Sequence, residues 1–233
     1  MRLLLIRHGQ TPNNVSGALD TAIPGAGLTR LGHTQAIAVP PALGDERIAA
    51  IYASRLTRTQ LTAAPLARVR RLDVTVTAGL EEISAGTLEM RADPEALRGY
   101  VDCLVSWVHG DLSHSVPGGM SGHEFWECYD GAIRTVAAAH DPESTVAVFS
   151  HGAAIRVYTA LATGLRPEAV ADLSIANTGM AVLEGDPDIG WRLARWSSTP
   201  LGGVDLLDHR AHDVTGESVE ETSAADGEPP LAP

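Results

Sequence analysis

Residues 1–11 read Met1-Arg-Leu-Leu-Leu-Ile-Arg-His-Gly-Gln-Thr11, and they carry the strongest structural signal in the chain. Four consecutive apolar residues, Leu3 to Ile6, lead directly into Arg7-His8-Gly9. A short apolar run that ends at glycine is typical of a buried strand in a parallel sheet. In open α/β sheets, ligands bind where such strands end. The segment therefore predicts that a cation and an imidazole lie at the ligand-binding edge of a sheet.

A second segment repeats this arrangement. Thr145-Val-Ala-Val-Phe-Ser150 is another apolar run, and it leads into His151-Gly152. Two predicted strands thus each deliver a histidine followed by a glycine. We expect both imidazoles to lie at the same edge of one sheet.

Strand and helix signals alternate along the chain, which predicts βαβ units in an α/β domain. The predicted strands cover residues 2–7, 48–53, 73–77 and 145–150, with two antiparallel edge strands at 179–184 and 191–196. The predicted helices run from Thr29 to a break at Pro40-Pro41, from an N-cap at Ser54 to 69, and over 93–109, 121–140 and 152–163. Residues 10–27 and 80–86 are predicted loops.

The composition excludes several classes of protein. The 233 residues carry a net charge of −12, and all 17 basic residues are arginine. A nucleic-acid partner is therefore not expected, because phosphate-backbone binding needs a basic face. No run approaches the ~20 apolar residues of a membrane span, and no secretory leader is expected. We interpret Cys103 and Cys128 as reduced core thiols of a cytoplasmic protein. The oligomeric state stays open.

The C-terminal region differs from the rest in composition. Residues 205–233 contain eight acidic residues and one arginine. Such a segment buries too little apolar surface to offset the entropy of ordering, so we predict an acidic, mobile tail after a domain of residues 1–204. His209 and His212 in this tail could also be metal ligands, but a polar tail is the favoured interpretation.

Four motifs in chain order resemble those of the histidine phosphatase (phosphoglycerate-mutase-like) superfamily. Leu5-Ile-Arg-His-Gly-Gln-Thr11 resembles its signature. Ser54-x-Leu56-x-Arg58-Thr59 is similar to its second motif, Leu80-x-Glu82-x-x-x-Gly86 to its acid loop, and Ser150-His151-Gly152 to its second histidine. The similarity extends over residues 1–196. It implies a three-layer α/β/α sandwich with a mainly parallel sheet, in which residues 94–140 form a small helical cap over the site.

The resemblance implies that three residues carry the chemistry. His8 would attack phosphorus as a neutral imidazole and form a phosphohistidine. Glu82 would protonate the leaving alkoxide and then activate water, although Glu81 and Glu89 compete for this role. His151 would donate to the equatorial oxygens of the transition state.

The phosphoryl oxygens need donors and positive charge. Arg7 and Arg58 can supply planar, bidentate donors, and Asn14 a neutral one. The helix that begins at Gly152 would add backbone N–H groups. Such a pocket can replace a metal ion, so neither a metal nor a cofactor is predicted. Arg55 could line the pocket mouth, but a solvated surface position is the favoured interpretation.

The residues that depart from the family pattern belong more to the substrate side of the pocket, where the leaving group would bind, than to the phosphoryl site. Gly119-Met120-Ser121 stands where the family often has Gly-Glu-Ser, and Cys128 stands where it often has arginine. The acid loop Glu82-Ile-Ser-Ala-Gly86 differs from the Glu-Arg-His-Tyr-Gly of true mutases. We therefore predict a phosphatase that acts on a small phosphomonoester. Mutase-type phosphoryl transfer and a non-catalytic module that binds phosphorylated ligands are the alternatives.

Overall fold

The computed structural model describes residues 1–171, 173–208, 211 and 213–216. His209 and His212 lie outside these described residues. The strands are β1 (Arg2–Arg7), β2 (Ile48–Ala53), β3 (Val74–Val76), β4 (Thr145–Ser150), β5 (Met180–Asp186) and β6 (Gly190–Ser197). The helices are α1 (Pro12–Ser16), α2 (Arg30–Ala42), α3 (Thr57–Arg70), α4 (Pro94–Val108), α5 (Gly122–Ala138), α6 (Gly152–Thr163) and α7 (Pro167–Ala171).

The six strands form one sheet in the order β3-β2-β4-β1-β5-β6. The first four strands in this order are parallel, whereas β5 runs antiparallel to β1, and β6 runs antiparallel to β5 at the edge of the sheet. The prediction of a mainly parallel sheet is confirmed. β1 and β4 pair in register, with Arg7 opposite Ser150. The residues that follow these two strands therefore emerge side by side.

Alternate side chains of β1 point to opposite faces of the sheet, and both faces are covered. Leu4 and Ile6 pack in an apolar cluster with residues of α2 and α3. Leu3 and Leu5 pack in a second cluster with residues of α4, α5 and α6. All four leucine and isoleucine side chains are fully buried. This arrangement explains the continuous apolar run, since a strand buried on both faces has no polar face to show.

The helix α2 continues through Pro40 and Pro41, so the predicted break there is wrong. The backbone N–H of Leu43 donates to the carbonyl of Val39 at 3.1 Å, past both proline nitrogens. Both prolines fall in the last turn, so the helix loses only the hydrogen bonds that their two N–H groups would have donated, and it ends one residue after Pro41. The short helix α1 also lies inside a predicted loop.

The helix α3 begins at Thr57, and its N-cap is Leu56 rather than Ser54. The Ser54 hydroxyl has other partners, described below. The expectation of two core thiols is also wrong for one residue, because Cys103 is buried but Cys128 is exposed on α5. No helix among the described residues has both the length and the hydropathy that a membrane crossing requires.

Candidate active site

The two predicted histidines meet at the carboxyl ends of β1 and β4. Their ring centroids are 5.2 Å apart, and both side chains are buried. The backbone N–H of His8 donates to the carbonyl of Ser150 at 3.0 Å, which continues the β1–β4 pairing by one residue. The register of the two strands thus brings the imidazoles together.

The contacts of His8 define which ring nitrogen is available. Nδ1 lies 2.8 Å from the carbonyl oxygen of Gly9, which can only accept a hydrogen bond, so Nδ1 carries the proton and Nε2 keeps its lone pair. Burial lowers the pKa of His8 well below its usual value, and the charges of Arg58 and Arg7 lower this pKa further. The ring is therefore neutral at neutral pH, as a nitrogen nucleophile requires.

His151 is held by a serine that precedes α3. Its Nε2 lies 2.8 Å from Oγ of Ser54, and that hydroxyl also contacts Oγ1 of Thr59 at 3.0 Å. The Nδ1 of His151 is buried and has no hydrogen-bond partner among the described residues. Burial lowers the pKa of His151 well below its usual value, and the charge of Arg58 acts in the same direction.

Glu82 lies at the N-terminus of α6. Its carboxylate accepts hydrogen bonds from the backbone N–H groups of Ala154 at 2.8 Å, Ala153 at 3.2 Å and Ile83 at 3.0 Å. Burial raises the pKa of Glu82 above its usual value, although the N–H groups of Ile83 and Ala154 and the charges of the two arginines oppose the rise. The carboxyl group is thus fixed in position and favours the proton more than an exposed one does.

The two competing carboxylates have other partners. Glu81 accepts hydrogen bonds from Nε of Arg55 at 2.7 Å and from the N–H of Gly79. Glu89 accepts from the backbone N–H of Thr21 at 2.9 Å. Of the three glutamates, Glu82 alone lines the small cavity that also contains His8, Asn14 and Arg58.

The second predicted arginine, Arg58, is buried on the first turn of α3. Its Nη2 donates to the carbonyl oxygen of Asp20 at 2.8 Å, and its Nη1 lies 3.4 Å from the Asp20 carboxylate. Its Nε is buried without a hydrogen-bond partner among the described residues. The loop that precedes α2 therefore aims the guanidinium into the cavity beside His8.

Two residues of the last described segment, Asp213 and Thr215, lie at the predicted phosphate-binding residues Arg7 and Asn14. The carboxylate of Asp213 forms an ion pair with Nη2 of Arg7 and accepts a hydrogen bond from Nδ2 of Asn14 at 3.2 Å. The hydroxyl of Thr215 accepts from the same Nη2 at 2.9 Å. The cavity that remains beside His8 has a volume of about 10 Å³. That is about the space that a single water molecule needs.

Gly152 lies against Arg7, because a Cβ atom at this position would approach Nε of Arg7 to 2.9 Å. The backbone oxygen of Thr215 would lie 2.3 Å from the same Cβ. Glycine is therefore required for close contact between α6 and the arginine. The next two N–H groups of α6, at Ala153 and Ala154, bind Glu82. Because these two N–H groups bind Glu82, the predicted donation from the start of α6 to phosphate now concerns the N–H of Gly152, and it stays a prediction.

A second, larger cavity opens on the other side of Glu82. Its volume is about 410 Å³. Its described lining residues come from the loop before α2, the segment between β2 and α3, the segment around the acid loop, and positions just before and within α5: Thr21, Ala22, Ile23, Arg55, Ala78, Gly79, Glu81, Glu82, Ser84, Met120, Phe125 and Cys128. Met120 and Cys128, two of the three departures from the family pattern, both lie on its wall. Arg55 lines this cavity too, and its side chain is half exposed.

Three residues near the site were not predicted for it. Ser54 was interpreted as a helix cap, and Asp213 was placed in the tail. Asn177 donates from Nδ2 to the carbonyl of His8 and to Oδ1 of Asn14, both at 3.2 Å. The family motif that begins at Ser54 was the available signal for the first residue. Nothing in the local sequence marked Asp213.

The chain is similar to proteins of known classification. A model of the histidine phosphatase superfamily (branch 1) matches residues 3–199. The PE-PGRS family protein PE_PGRS11 of Mycobacterium tuberculosis is 34% identical over 86% of this chain and 37% of its own length. A probable phosphoglycerate mutase GpmB of Salmonella choleraesuis is 26% identical over 91% of this chain and 98% of its own. The chain spans less than half the length of the first curated relatives that it matches.

The solved structures agree with the family match. A mycobacterial glucosyl-3-phosphoglycerate phosphatase, determined in complex with VO3, superposes with a TM-score of 0.72 at 25% identity. The superposition covers 85% of this chain and 99% of that one. The matching model, the sequence relatives and the fold all lead to the same result. The chain belongs to the histidine phosphatase superfamily, branch 1.

Proposed function

We propose that this protein is a metal-independent phosphomonoester hydrolase that acts on a small phosphorylated metabolite through a phosphohistidine at His8. The observation that carries the proposal is the small cavity shared by a neutral imidazole, a buried guanidinium and a buried carboxyl group. These groups are a nucleophile, an anion-binding cation and a general acid, as phosphoryl transfer requires. The phosphatase among the solved neighbours supports the same reaction class.

In the first step, Nε2 of His8 attacks phosphorus in line with the ester oxygen. The P–N bond forms while the P–O bond to the leaving group breaks, and Glu82 transfers its proton to the departing oxygen. Arg7, Arg58 and Asn14 hold the phosphoryl oxygens, with Arg7 and Asn14 exchanging the Asp213 carboxylate for phosphate. The raised pKa of Glu82 favours this step because the acid must start protonated.

In the second step, the ionised Glu82 removes a proton from water, whose oxygen attacks the phosphohistidine. The P–N bond breaks, inorganic phosphate forms, and His8 and Glu82 return to their starting states. The backbone N–H groups of Ala153 and Ala154 stabilise the carboxylate between the two steps.

His151 stabilises the equatorial oxygens in both steps. If the Ser54 hydroxyl donates to Nε2, the neutral ring carries its proton on Nδ1, the buried nitrogen without a partner. That N–H is then available to a phosphoryl oxygen, and Ser54 acts as a positioning residue that selects this tautomer.

The proposal is tested with para-nitrophenyl phosphate, whose good leaving group does not need an acid. The wild-type protein is expected to turn over steadily. Glu82→Gln is expected to release about one equivalent of nitrophenolate in a burst, because phosphorylation proceeds while hydrolysis is slow. Alkaline-stable phosphate should then be found on His8 by mass spectrometry.

His8→Ala is expected to abolish both the turnover and the protein-bound phosphate. His33→Ala removes an exposed histidine of α2 and is the matched control, which should behave as the wild type. Turnover that survives in His8→Ala would overturn the phosphohistidine mechanism. A protein that binds phosphate in a calorimeter but hydrolyses no phosphomonoester would instead be the non-catalytic module.

The similarity to GpmB keeps mutase-type transfer as a second candidate function. Incubation with 3-phosphoglycerate, with and without its bisphosphate primer, distinguishes the two reactions. A hydrolase does not isomerise the substrate in either case. Isomerisation that depends on the primer and exceeds phosphate release would establish the mutase.

A further inference from the structure

The 410 Å³ cavity beside Glu82 is the space into which a leaving group departs, if the proposed hydrolysis is correct. Glu82 lines both this cavity and the small one that contains His8. An ester oxygen that receives a proton from Glu82 must therefore carry its alcohol into the larger cavity. From its lining we infer that the substrate is the phosphomonoester of an uncharged alcohol that has an apolar face.

The apolar part of the lining comes from two directions. Ile23, which is half exposed, lies on the loop before α2. Met120 lies just before α5 and Phe125 near its start, where Phe125 is buried and stacks on Trp107. Ligand sites of this volume bind mainly through such apolar walls. The stacked pair gives the cavity one rigid wall, whereas Met120 can adapt to the shape of a ligand.

The charges of the lining oppose an anionic leaving group. Arg55 is the one cation among the described lining residues, and Glu81 forms an ion pair with it at 2.7 Å. Glu81 also accepts from the N–H of Gly79, so its carboxylate is fixed at the wall. A carboxylate or a second phosphate in this cavity would lose its hydration and find no unpaired guanidinium among the described lining residues to balance its charge. The Ser84 hydroxyl can still bond a neutral polar group.

Two aryl phosphates of nearly equal size test the inference. para-Carbamoylphenyl phosphate has a neutral leaving group, and para-carboxyphenyl phosphate has the anionic counterpart. We expect kcat/KM to be about tenfold or more higher for the neutral ester, because an anionic group that leaves water without gaining an unpaired cation is disfavoured. An equal or larger value for the carboxylate would overturn the inference while leaving the hydrolase intact.

Cys128→Arg sharpens the test by adding an unpaired cation to the cavity wall. The ratio of kcat/KM for the neutral ester to kcat/KM for the anionic ester is expected to fall at least about fivefold, because the anionic ester reacts faster in this variant. Thr135→Arg adds the same charge to an exposed position of α5, away from the cavity, and should leave the ratio unchanged. Equal changes in both variants would show that net charge, rather than the cavity, sets the preference. Failure of both esters to react would instead count against the proposed hydrolysis.

A different observation carries a second inference. Asp213 binds Arg7 and Asn14, the groups assigned to the phosphoryl oxygens, and the space left beside His8 is only about 10 Å³. A carboxylate and two oxygens of a phosphate accept hydrogen bonds from the same donor groups. We propose that Asp213 is an internal competitor, which every phosphorylated ligand must displace before it reaches His8.

Asp213→Asn is the test of this competition. Without the negative charge, the inhibition constant for inorganic phosphate and the KM for para-nitrophenyl phosphate are both expected to fall about fivefold, with kcat not reduced. Asp205→Asn neutralises an exposed aspartate of the same segment and should change neither constant. A lower kcat with unchanged or weaker phosphate binding would show that Asp213 supports Arg7 instead, and the proposal would be wrong.

Discussion

The two cavities on either side of Glu82 differ in the polarity of the residues that line them. Around His8, the lining is mostly polar, and backbone groups hold three of the functional side chains: Gly9 holds His8, Asp20 holds Arg58, and the α6 N-terminus holds Glu82. The larger cavity is mostly apolar and includes exposed residues such as Ile23 and Cys128. The cavity around His8 is thus suited to phosphoryl transfer, and the larger cavity is suited to selecting the alcohol part of the substrate.

This contrast has an energetic basis. A buried charge that loses its partners costs several kcal/mol, so the residues around His8 tolerate little change. An apolar wall that is partly exposed loses far less when a side chain is exchanged. Substitutions on the phosphoryl side should therefore affect all substrates alike, and substitutions on the leaving-group side should affect them selectively.

Among substitutions that keep the nucleophile, the largest effect is expected at Glu82, which lines both cavities. Glu82→Gln should slow hydrolysis of alkyl phosphates about 100- to 10,000-fold, because a poor leaving group needs the proton. The first step for para-nitrophenyl phosphate should be affected much less. Glu127→Gln, at an exposed position of α5, serves as the control. Equal slowing of the first step for both leaving groups, measured in single-turnover experiments, would contradict the acid role.

The same variant should change the pH profile. Hydrolysis of an alkyl phosphate requires neutral His8 and protonated Glu82. Its kcat/KM should therefore fall at high pH, as Glu82 ionises above its raised pKa, and at low pH, as His8 gains a proton below its lowered pKa. Glu82→Gln should lose the high-pH limb and keep the other. A high-pH limb that persists in this variant must belong to another group.

A smaller loss is expected from the buried arginine. Arg58→Ala should reduce kcat/KM about 100- to 1,000-fold for every phosphomonoester, because it removes a donor and a charge from the transition state. Arg68→Ala, an exposed arginine on the same helix, should leave the rate unchanged. A loss in Arg58→Ala that varied strongly with the alcohol would place this residue on the leaving-group side. Circular dichroism checks that the variant folds.

A moderate effect is expected from Ser54→Ala, which removes the hydrogen bond to His151. Loss of one such bond should lower kcat about tenfold, with KM nearly unchanged. The reduction should be the same for aryl and alkyl phosphates. Ser54→Thr keeps the hydroxyl and should restore most of the activity. Failure of this rescue in a folded protein would argue against a positioning role.

No effect is expected from a metal chelator. The proposed charge stabilisation comes from Arg7 and Arg58, so turnover in EDTA should equal turnover without it after extensive dialysis. Strong inhibition that added divalent cation reverses would show that a metal takes part. It would then be necessary to locate its ligands, and the predicted alternative at His209 and His212 would be the first to examine.

The sequence predicted much of this molecule. All six strands were located, and so were the helices that follow β2 and β4, because apolar runs and turn residues are local signals. The motifs also selected His8, His151, Arg58 and Glu82, which the structure brings together. Their catalytic roles and the mobility of the tail stay predictions. The cap helices were located too, but their apolar cluster is continuous with one face of the sheet.

The errors share a physical cause. Ser54 has the chemistry of a helix cap, yet its hydroxyl meets a histidine 97 residues away. Pro40 and Pro41 normally end a helix, but they fall in the last turn of α2. Cys128 has the hydropathy of a core residue and lies at an exposed position. A polar or small residue has several possible partners, and the neighbouring residues in the chain do not indicate which of these partners it contacts in the folded protein.

Local patterns in the chain were enough to predict that two strands each present a histidine at one edge of a parallel sheet, because apolar periodicity and strand ends are properties of the local chain. The groups that surround these histidines depend on the tertiary fold. Asp213 meets Arg7 across 206 residues, and α5 meets the acid-loop region across the larger cavity. Such contacts depend on how whole elements pack, since residues far apart in the chain become neighbours only after the layers close around the sheet.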